Sequence, residues 1–334
     1  MKKRIGNFIL GLTLYPFTFL FNSCSPIGKP VDPEISKNHY YNKNKTGVIW
    51  SRQGNWFALG KTPMNVDVAS FEVLNPYLSK DHNQIYYFAN PIDPNTVSIE
   101  KFYAKEGYLN YYIGFDDKHV YTFTNTETSA GTEYTATIID SAKPDSFSYY
   151  EIDWAKDKEH YFYRNTLVNV DFDSFTHLNE HYSMDKNSAF AHINGNFHTL
   201  PLTKLETFDV FKDSYYAYDN EHIYYLNQPG DTTATSPITT IKANTTKRTR
   251  LLNKEYLKSG EHIYFAGKPL KNVDSENFEI VGVWYGKDKE NVYYKDQLIT
   301  GADAATFTLQ EVGYGVEDKH GTYIGGQLAP KPVN

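Results

Sequence analysis

The sequence predicts an all-β protein: tandem antiparallel β-hairpin or meander repeats of about 30 residues, stacked as an open repeat array. A β-propeller-like closed ring of the same repeats is the alternative. Three observations carry this prediction. One short motif recurs about nine times between residues 50 and 328. Aromatic residues make up 16 % of the chain, as Tyr 29, Phe 21 and Trp 4, and these residue types favour strands. Turn-forming Asp, Asn and Gly return at near-regular intervals between the aromatic runs.

The N-terminus reads as an address. Lys2, Lys3 and Arg4 are followed by an uncharged apolar run from Ile5 to Phe21, then by Asn22-Ser23-Cys24-Ser25. Basic, then apolar, then small is the order of a secretory signal. The run is at the short edge for a spanning helix, and Pro16 weakens it further. Cys24 is the only cysteine, which leaves no disulfide framework. A lone thiol directly after such a run resembles the acylation site of bacterial lipoproteins. Ser23 fits the small residue before it, whereas Phe21 and Asn22 depart from the usual pattern. The resemblance implies a signal peptide over residues 1–23 and lipid attachment at Cys24. It also implies a lipid-anchored, extracytoplasmic place in a bacterial cell envelope. The outer membrane is favoured, because Ser25 is not the Asp that signals inner-membrane retention. A plain secretory signal and an uncleaved anchor are the alternatives. Residues 24–45, with Pro26, Pro30 and Pro33 among Lys and Asn, read as a tether.

Residues 46–328 form the repeat domain, and 329–334 a C-terminal tail. KDHNQIYY at 80–87, KDKEHYFY at 156–163, YDNEHIYY at 218–225 and KDKENVYY at 287–294 are the clearest copies. WSRQGNWF at 50–57 reads as a degenerate first copy. The fifth residue after the Asp position is Trp56, Tyr86, Tyr121, Phe162, Phe190, Tyr224, Tyr264, Tyr293 and Tyr323, aromatic throughout. Upstream lies Asp-x-x-Ser/Asn/Thr-Phe, as in Asp67–Phe71, Asp171–Phe175, Asp274–Phe278 and Asp303–Phe307. That pattern predicts a capped turn opening a first strand. A second strand carries an aromatic into the Asp, three or four residues before it, as at Tyr77, Tyr112, Trp154 and Tyr285. The Asp stretch makes a tight hairpin, and the Val/Ile-Tyr-Tyr run returns. The third residue after the Asp is Gly, Gln, His, Ser or Asn, including His119, His160, His222 and His262, which predicts a left-handed residue closing a type I turn. Asp81, Asp157, Asp185, Asp219, Asp288 and Asp318 then serve as acceptors for backbone N–H groups just ahead.

Asp288-Lys-Glu-Asn-Val-Tyr-Tyr294, with the Asp303-x-x-Thr306-Phe307 element, resembles the DKNYY family of bacterial repeat proteins. The resemblance spans roughly residues 50 to 328. It implies an envelope lipoprotein with no established activity, and it brings no catalytic residues.

Two repeats are longer than the rest, with insertions at 125–141 and 227–250 rich in Thr. Insertions in repeat arrays map to loops, as tolerated decoration or as binding elements. Asp140-Ser141-Ala142 and Asp231-Thr232-Thr233 resemble glycosylation acceptors of some envelope proteins. Lys247, Arg248 and Arg250 form the one dense basic cluster. A net charge of −7 and no basic footprint argue against a nucleic-acid partner. Nucleophile elbows, zinc-binding helices and phosphate loops are missing from the sequence, so no catalytic residue, cofactor or metal ligand is assigned. His192 and His198 flank a hairpin, and Asp171 and Asp173 form an acidic pair. Three roles follow: an interaction scaffold for an envelope protein, a glycan binder, or a hydrolase of envelope polymers. The first is favoured. For the second, aromatics outside the repeat phase count: Trp50, Tyr40, Tyr41, Tyr134 and Tyr103.

Overall fold

The computed structural model describes residues 25–92, 97–129, 131–193, 195–201, 204–228, 236–242, 249–310 and 315–330. Among them the chain forms nine small antiparallel sheets in tandem, each made of consecutive strands, and none closes into a barrel. The chain divides into two compact units after Asn169. The first compact unit holds sheets 1–4, spanning residues 27–64, 72–92, 113–138 and 148–168. The second holds sheets 5–9, spanning residues 176–199, 209–242, 249–269, 279–298 and 308–328. The tandem antiparallel repeat read from the sequence is therefore the fold.

Sheet 8 shows the plan: β28 (Glu279–Gly282), β29 (Tyr285–Lys287), β30 (Val292–Tyr294) and β31 (Gln297–Leu298). Its Asp274–Phe278 segment is the capped turn expected. Asn277 Nδ2 donates to Asp274 Oδ2 at 2.6 Å, and in sheet 9 Phe307 N donates to Asp303 O at 3.0 Å. The core is an aromatic zipper. In the second unit a turn Phe sits between the second-strand aromatic of the preceding sheet and the third-strand aromatic of its own: Tyr256–Phe278–Tyr293 at 5.6 and 6.1 Å, and Tyr285–Phe307–Tyr323 at 5.8 and 5.4 Å. Such pairs add about 0.5–1.5 kcal/mol beyond their buried area. Within the second unit, Tyr182–Phe208–Tyr224 repeats the arrangement.

Four expectations are corrected. First, the described part of the segment read as a tether is folded: β1 (Ile27–Pro30) and β2 (His39–Asn42) pair with each other, and β2 pairs with β3 (Val48–Trp50). The repeats thus begin near residue 27 rather than 46. Second, Trp56 is not a return-strand aromatic. It lies on a single helical turn, α1 (Trp56–Leu59), and Ile49 stands opposite Tyr40 and Pro63 where Tyr86 stands opposite Ser79 and Pro91. Third, apart from Gly260 and Gly321, with φ of 59° and 141°, the left-handed residues are not at the Asp turn. There the Asp N–H donates to the carbonyl three residues on (Asp81 to Gln84, 2.9 Å; Asp288 to Asn291, 2.9 Å), and the Asp side chain replaces its own carbonyl as acceptor. Positive φ falls instead at the next hairpin, at Phe88, Arg164, Asn165, Ala266, Gly267, Lys295, Gly325 and Gly326, where two-residue loops need it. Fourth, the buried second-strand position lies three residues before the Asp, at Leu78, Trp154, Tyr182, Tyr216 and Tyr285, so Tyr77 and Tyr112 are not core aromatics.

The insertions are strands in part. Residues 125–128 and 131–138 extend the hairpin of β10 (Val120–Thr128) and β11 (Gly131–Ile138). β23 (Ile238–Lys242) completes sheet 6 beside β22 (His222–Leu226).

Candidate functional site

The repeated Asp is the most chemically loaded position, and its geometry is that of a strut. Asp81 Oδ1 accepts the N–H groups of Asn83 and Gln84 at 2.8 and 2.9 Å. Its Oδ2 accepts the Asp67 N–H at 2.8 Å and the Tyr86 hydroxyl at 2.9 Å. Asp288 repeats the set with Glu290, Asn291, Asp274 and, at 3.4 Å, Tyr293. Asp318 does so with His320, Asp303 and Tyr323. The expected backbone-acceptor role holds at all six aspartates named above. Burial pushes the Asp288 and Asp318 carboxyls up, but the converging N–H donors outweigh it and hold both below the usual range. Burial, and after it the neighbouring Asp81, Asp219 and Asp288 carboxylates, push the Tyr86, Tyr224 and Tyr293 phenols far above theirs.

The upstream turn is engaged as well. Ser174 Oγ donates to Asp171 at 2.6 Å and accepts the Lys186 N–H at 3.0 Å, and Lys186 Nζ pairs with Asp171 at 2.6 Å. Lys186, then Ser174, hold Asp171 below its ordinary range, the opposite of what a glycosidase acid needs. Lys319 does the same to Asp303, down to about 2.

A Ser–His–Asp trio does occur. Ser70 Oγ is 2.8 Å from His82 Nδ1, which is 2.9 Å from Asp67 Oδ2. A relay needs the hydroxyl on one ring nitrogen and the carboxylate on the other. Here one nitrogen meets both, and Ser70 donates to Asp67 directly at 2.6 Å. The trio is the repeat's cap with His82 in place of the lysine. A pocket of about 470 Å³ lined in part by Asp67, Asp81 and Tyr86 lies beside it, and its two carboxylates are already engaged, Asp67 in the cap and Asp81 as the strut.

His192 and His198 do not converge. His192 pairs with Phe197, and His198 with Ala191, which sets the two imidazoles on opposite faces. Ser183 Oγ lies 2.8 Å from His192 Nε2 in the interior, and burial holds His192 down to about 3 and His177 to about 4. Cys24, Lys247, Arg248 and Asp231-Thr232-Thr233 lie outside the described residues. Arg250 is on β24 (Thr249–Leu251) and exposed.

Of the off-phase aromatics, Trp50 joins a half-exposed shelf that the sequence did not foretell. Trp50 meets Phe88 at 5.4 Å, Phe88 meets Tyr77 at 5.0 Å, and Tyr77 stacks on Tyr112 at 5.2 Å and 20°. Tyr134 reaches the neighbouring Tyr87 at 6.1 Å. Tyr103 stacks on Phe115 instead. Tyr40 bonds Lys37 O, and Tyr41 lies under Lys45.

Two further struts escaped sequence reading. Asn179 Oδ1 accepts the His181 and Tyr182 N–H groups while its Nδ2 reaches Phe211 O at 3.1 Å in the next repeat, and Asn75 and Asn253 repeat this. Lys287 Nζ donates to Ala304 O and Phe307 O at 3.1 and 2.8 Å, capping the following turn. The spacing Asn-x-x-Tyr at 179–182 and 253–256 was the available signal.

Comparison with known proteins agrees with this repeat. The DKNYY family matches the chain three times, over residues 50–194, 154–297 and 193–327. No curated protein and no solved structure is significantly similar to it.

Proposed function

We propose, for a chain that belongs to the DKNYY family, a non-catalytic role at the bacterial cell envelope. It is a lipoprotein acylated at Cys24 whose repeats form a scaffold for another envelope protein. The supporting observation is a division of labour. Polar residues in repeat phase are consumed as struts, while apolar side chains that no strut requires stand on the surface of sheets 8 and 9. Val283 is 67 % and Ile324 71 % exposed, with Trp284 and Leu309 also exposed. Exposed apolar groups of this kind mark contact surfaces.

The test places a photo-crosslinking residue at Trp284 or Ile324 in the lipidated chain in cells. A single mass-identified protein adduct, missing when the probe is at exposed Glu276 and lost in Cys24→Ala, is expected. Unreacted protein at both positions overturns the scaffold.

The aromatic shelf favours a second reading, a glycan laid across Trp50, Tyr77 and Tyr112 by ring stacking. Retardation of the protein in polysaccharide-containing native gels, abolished by Tyr112→Ala, supports it. Unchanged mobility of the wild type excludes it.

A further inference from the structure

Sheet 1 carries an excursion between its third and fourth strands. Trp50 pairs with Thr62, and residues 51–61 leave the sheet between them. Their base is fixed. Ser51 is buried, its N–H donates to Asn38 O at 2.8 Å and its hydroxyl to Gly60 O at 3.1 Å, and Gln53 N donates to Asn38 Oδ1 at 2.8 Å. Asn55 caps α1 by accepting the Ala58 N–H at 3.2 Å. The tip then points its apolar residues outward: Phe57 is 85 % and Leu59 54 % exposed, and neither joins the Val48–Met64–Tyr86 cluster beneath the sheet. Lys61 Nζ lies 5.8 Å over the Trp56 ring.

Charge adds a second observation. Residues 25–61 carry exposed Lys29, Lys37, Lys43, Lys45, Arg52 and Lys61 against only Asp32 and Glu34, in a chain of net charge −7. Chain length adds a third. The folded sheet begins at Ile27, three residues after Cys24, a leash of about 10 Å at most when extended. An acyl group on Cys24 therefore holds sheet 1 against the bilayer.

We propose that the Trp56–Leu59 turn is a membrane seat. Phe57 and Leu59 enter the interfacial layer of an anionic phospholipid surface, Trp56 lies at headgroup level, and Arg52 and Lys61 meet lipid phosphates. The proposal rests on the acylation of Cys24 put forward above. It turns the lipid from a flexible mooring into one point of a two-point attachment that orients sheet 1.

Spin labelling tests it on the lipidated protein in vesicles of phosphatidylcholine with and without phosphatidylglycerol. A label on Phe57→Cys is compared with one on exposed Ile152→Cys, and wild type reports the state of Cys24. The seat requires label 57 to show at least about threefold less collision with an aqueous nickel chelate than label 152, with more oxygen contact, on the anionic vesicles. It also requires the difference to shrink in R52E/K61E. Equal nickel access at both positions, with unlabelled wild type, overturns the seat and leaves acylation intact. Uptake of one label by wild type overturns acylation, and the seat with it.

Discussion

Sheets 1 and 8 share a four-stranded plan and are closed by different means. In sheet 8 the turn after the second strand is held by Asp288, which gathers N–H groups from Asp274, Glu290 and Asn291 and the Tyr293 hydroxyl. In sheet 1 the same place is taken by Asn42, whose Oδ1 accepts one N–H, that of Thr46 at 2.8 Å. Ile49 offers no hydroxyl. The strands pair in both sheets, so pairing does not set turn length. A charged acceptor with four donors permits a two-residue turn. A neutral one with a single backbone donor leaves a four-residue loop with Lys45 left-handed.

The largest expected effect tests that difference directly. Asp288→Ala leaves three N–H groups without their acceptor, while the Tyr293 hydroxyl keeps Asn272 O at 2.9 Å, and costs about 3 kcal/mol. Asn42→Ala costs about 1 kcal/mol. Urea unfolding followed by tryptophan fluorescence reads both, and equal losses break the comparison. Next comes packing. A Cβ at Gly286 would stand 2.2 Å from Phe278 Cζ, whereas one at Gly47 meets only the Asn42 amide at 3.3 Å. Gly286→Ala costs about 2 kcal/mol by overpacking and Gly47→Ala less than about 0.5 kcal/mol, in the same assay.

Acid sharpens the contrast further. His39 in sheet 1 is buried beside Ser36 Oγ, and burial lowers it to about 4. Its folded value lies below its unfolded one. The stability tied to neutral His39 is full above the unfolded value near 6.5 and is lost as pH falls toward 4. Sheet 8 has no histidine. Asp288, held low, contributes stability that fades only as pH drops below its unfolded value near 4. Hydrogen exchange between pH 6.5 and 4.5, corrected for intrinsic rates, should show sheet 1 loosening first. Matched protection across that range contradicts the assignment. The smallest effect is at Lys295, left-handed at φ 56. Lys295→Gly relieves that conformation and gains at most about 0.5 kcal/mol, visible as a small rise in melting temperature.

The sequence made the clearest copies legible because each Asp has its third-strand aromatic five residues on, and where that aromatic is a tyrosine the pair is the bond itself: Asp219 to Tyr224 at 2.8 Å, Asp318 to Tyr323 at 2.9 Å. It failed at residues 24–57 for the same reason. Asn42 and Ile49 keep the backbone plan without either partner, so a search for the motif slid to Trp56. The left-handed loops were missed because Phe88, Arg164 and Lys295 are not turn formers; the ladder on both sides forces them. The aromatic shelf was illegible because Trp50, Phe88 and Tyr112 belong to three different repeats. Only the zipper's spacing brings them together.

The strut from Asp288 reaches back only to Asp274, and sheet 8 closes within residues 279–298. Hydrogen-bonded partners so near in sequence give a low contact order, the condition for rapid folding. A nascent chain supplied from its N-terminus can therefore complete one sheet before the next has been made, each finished sheet within a unit offering its buried second-strand residue as the template on which the next phenylalanine lands.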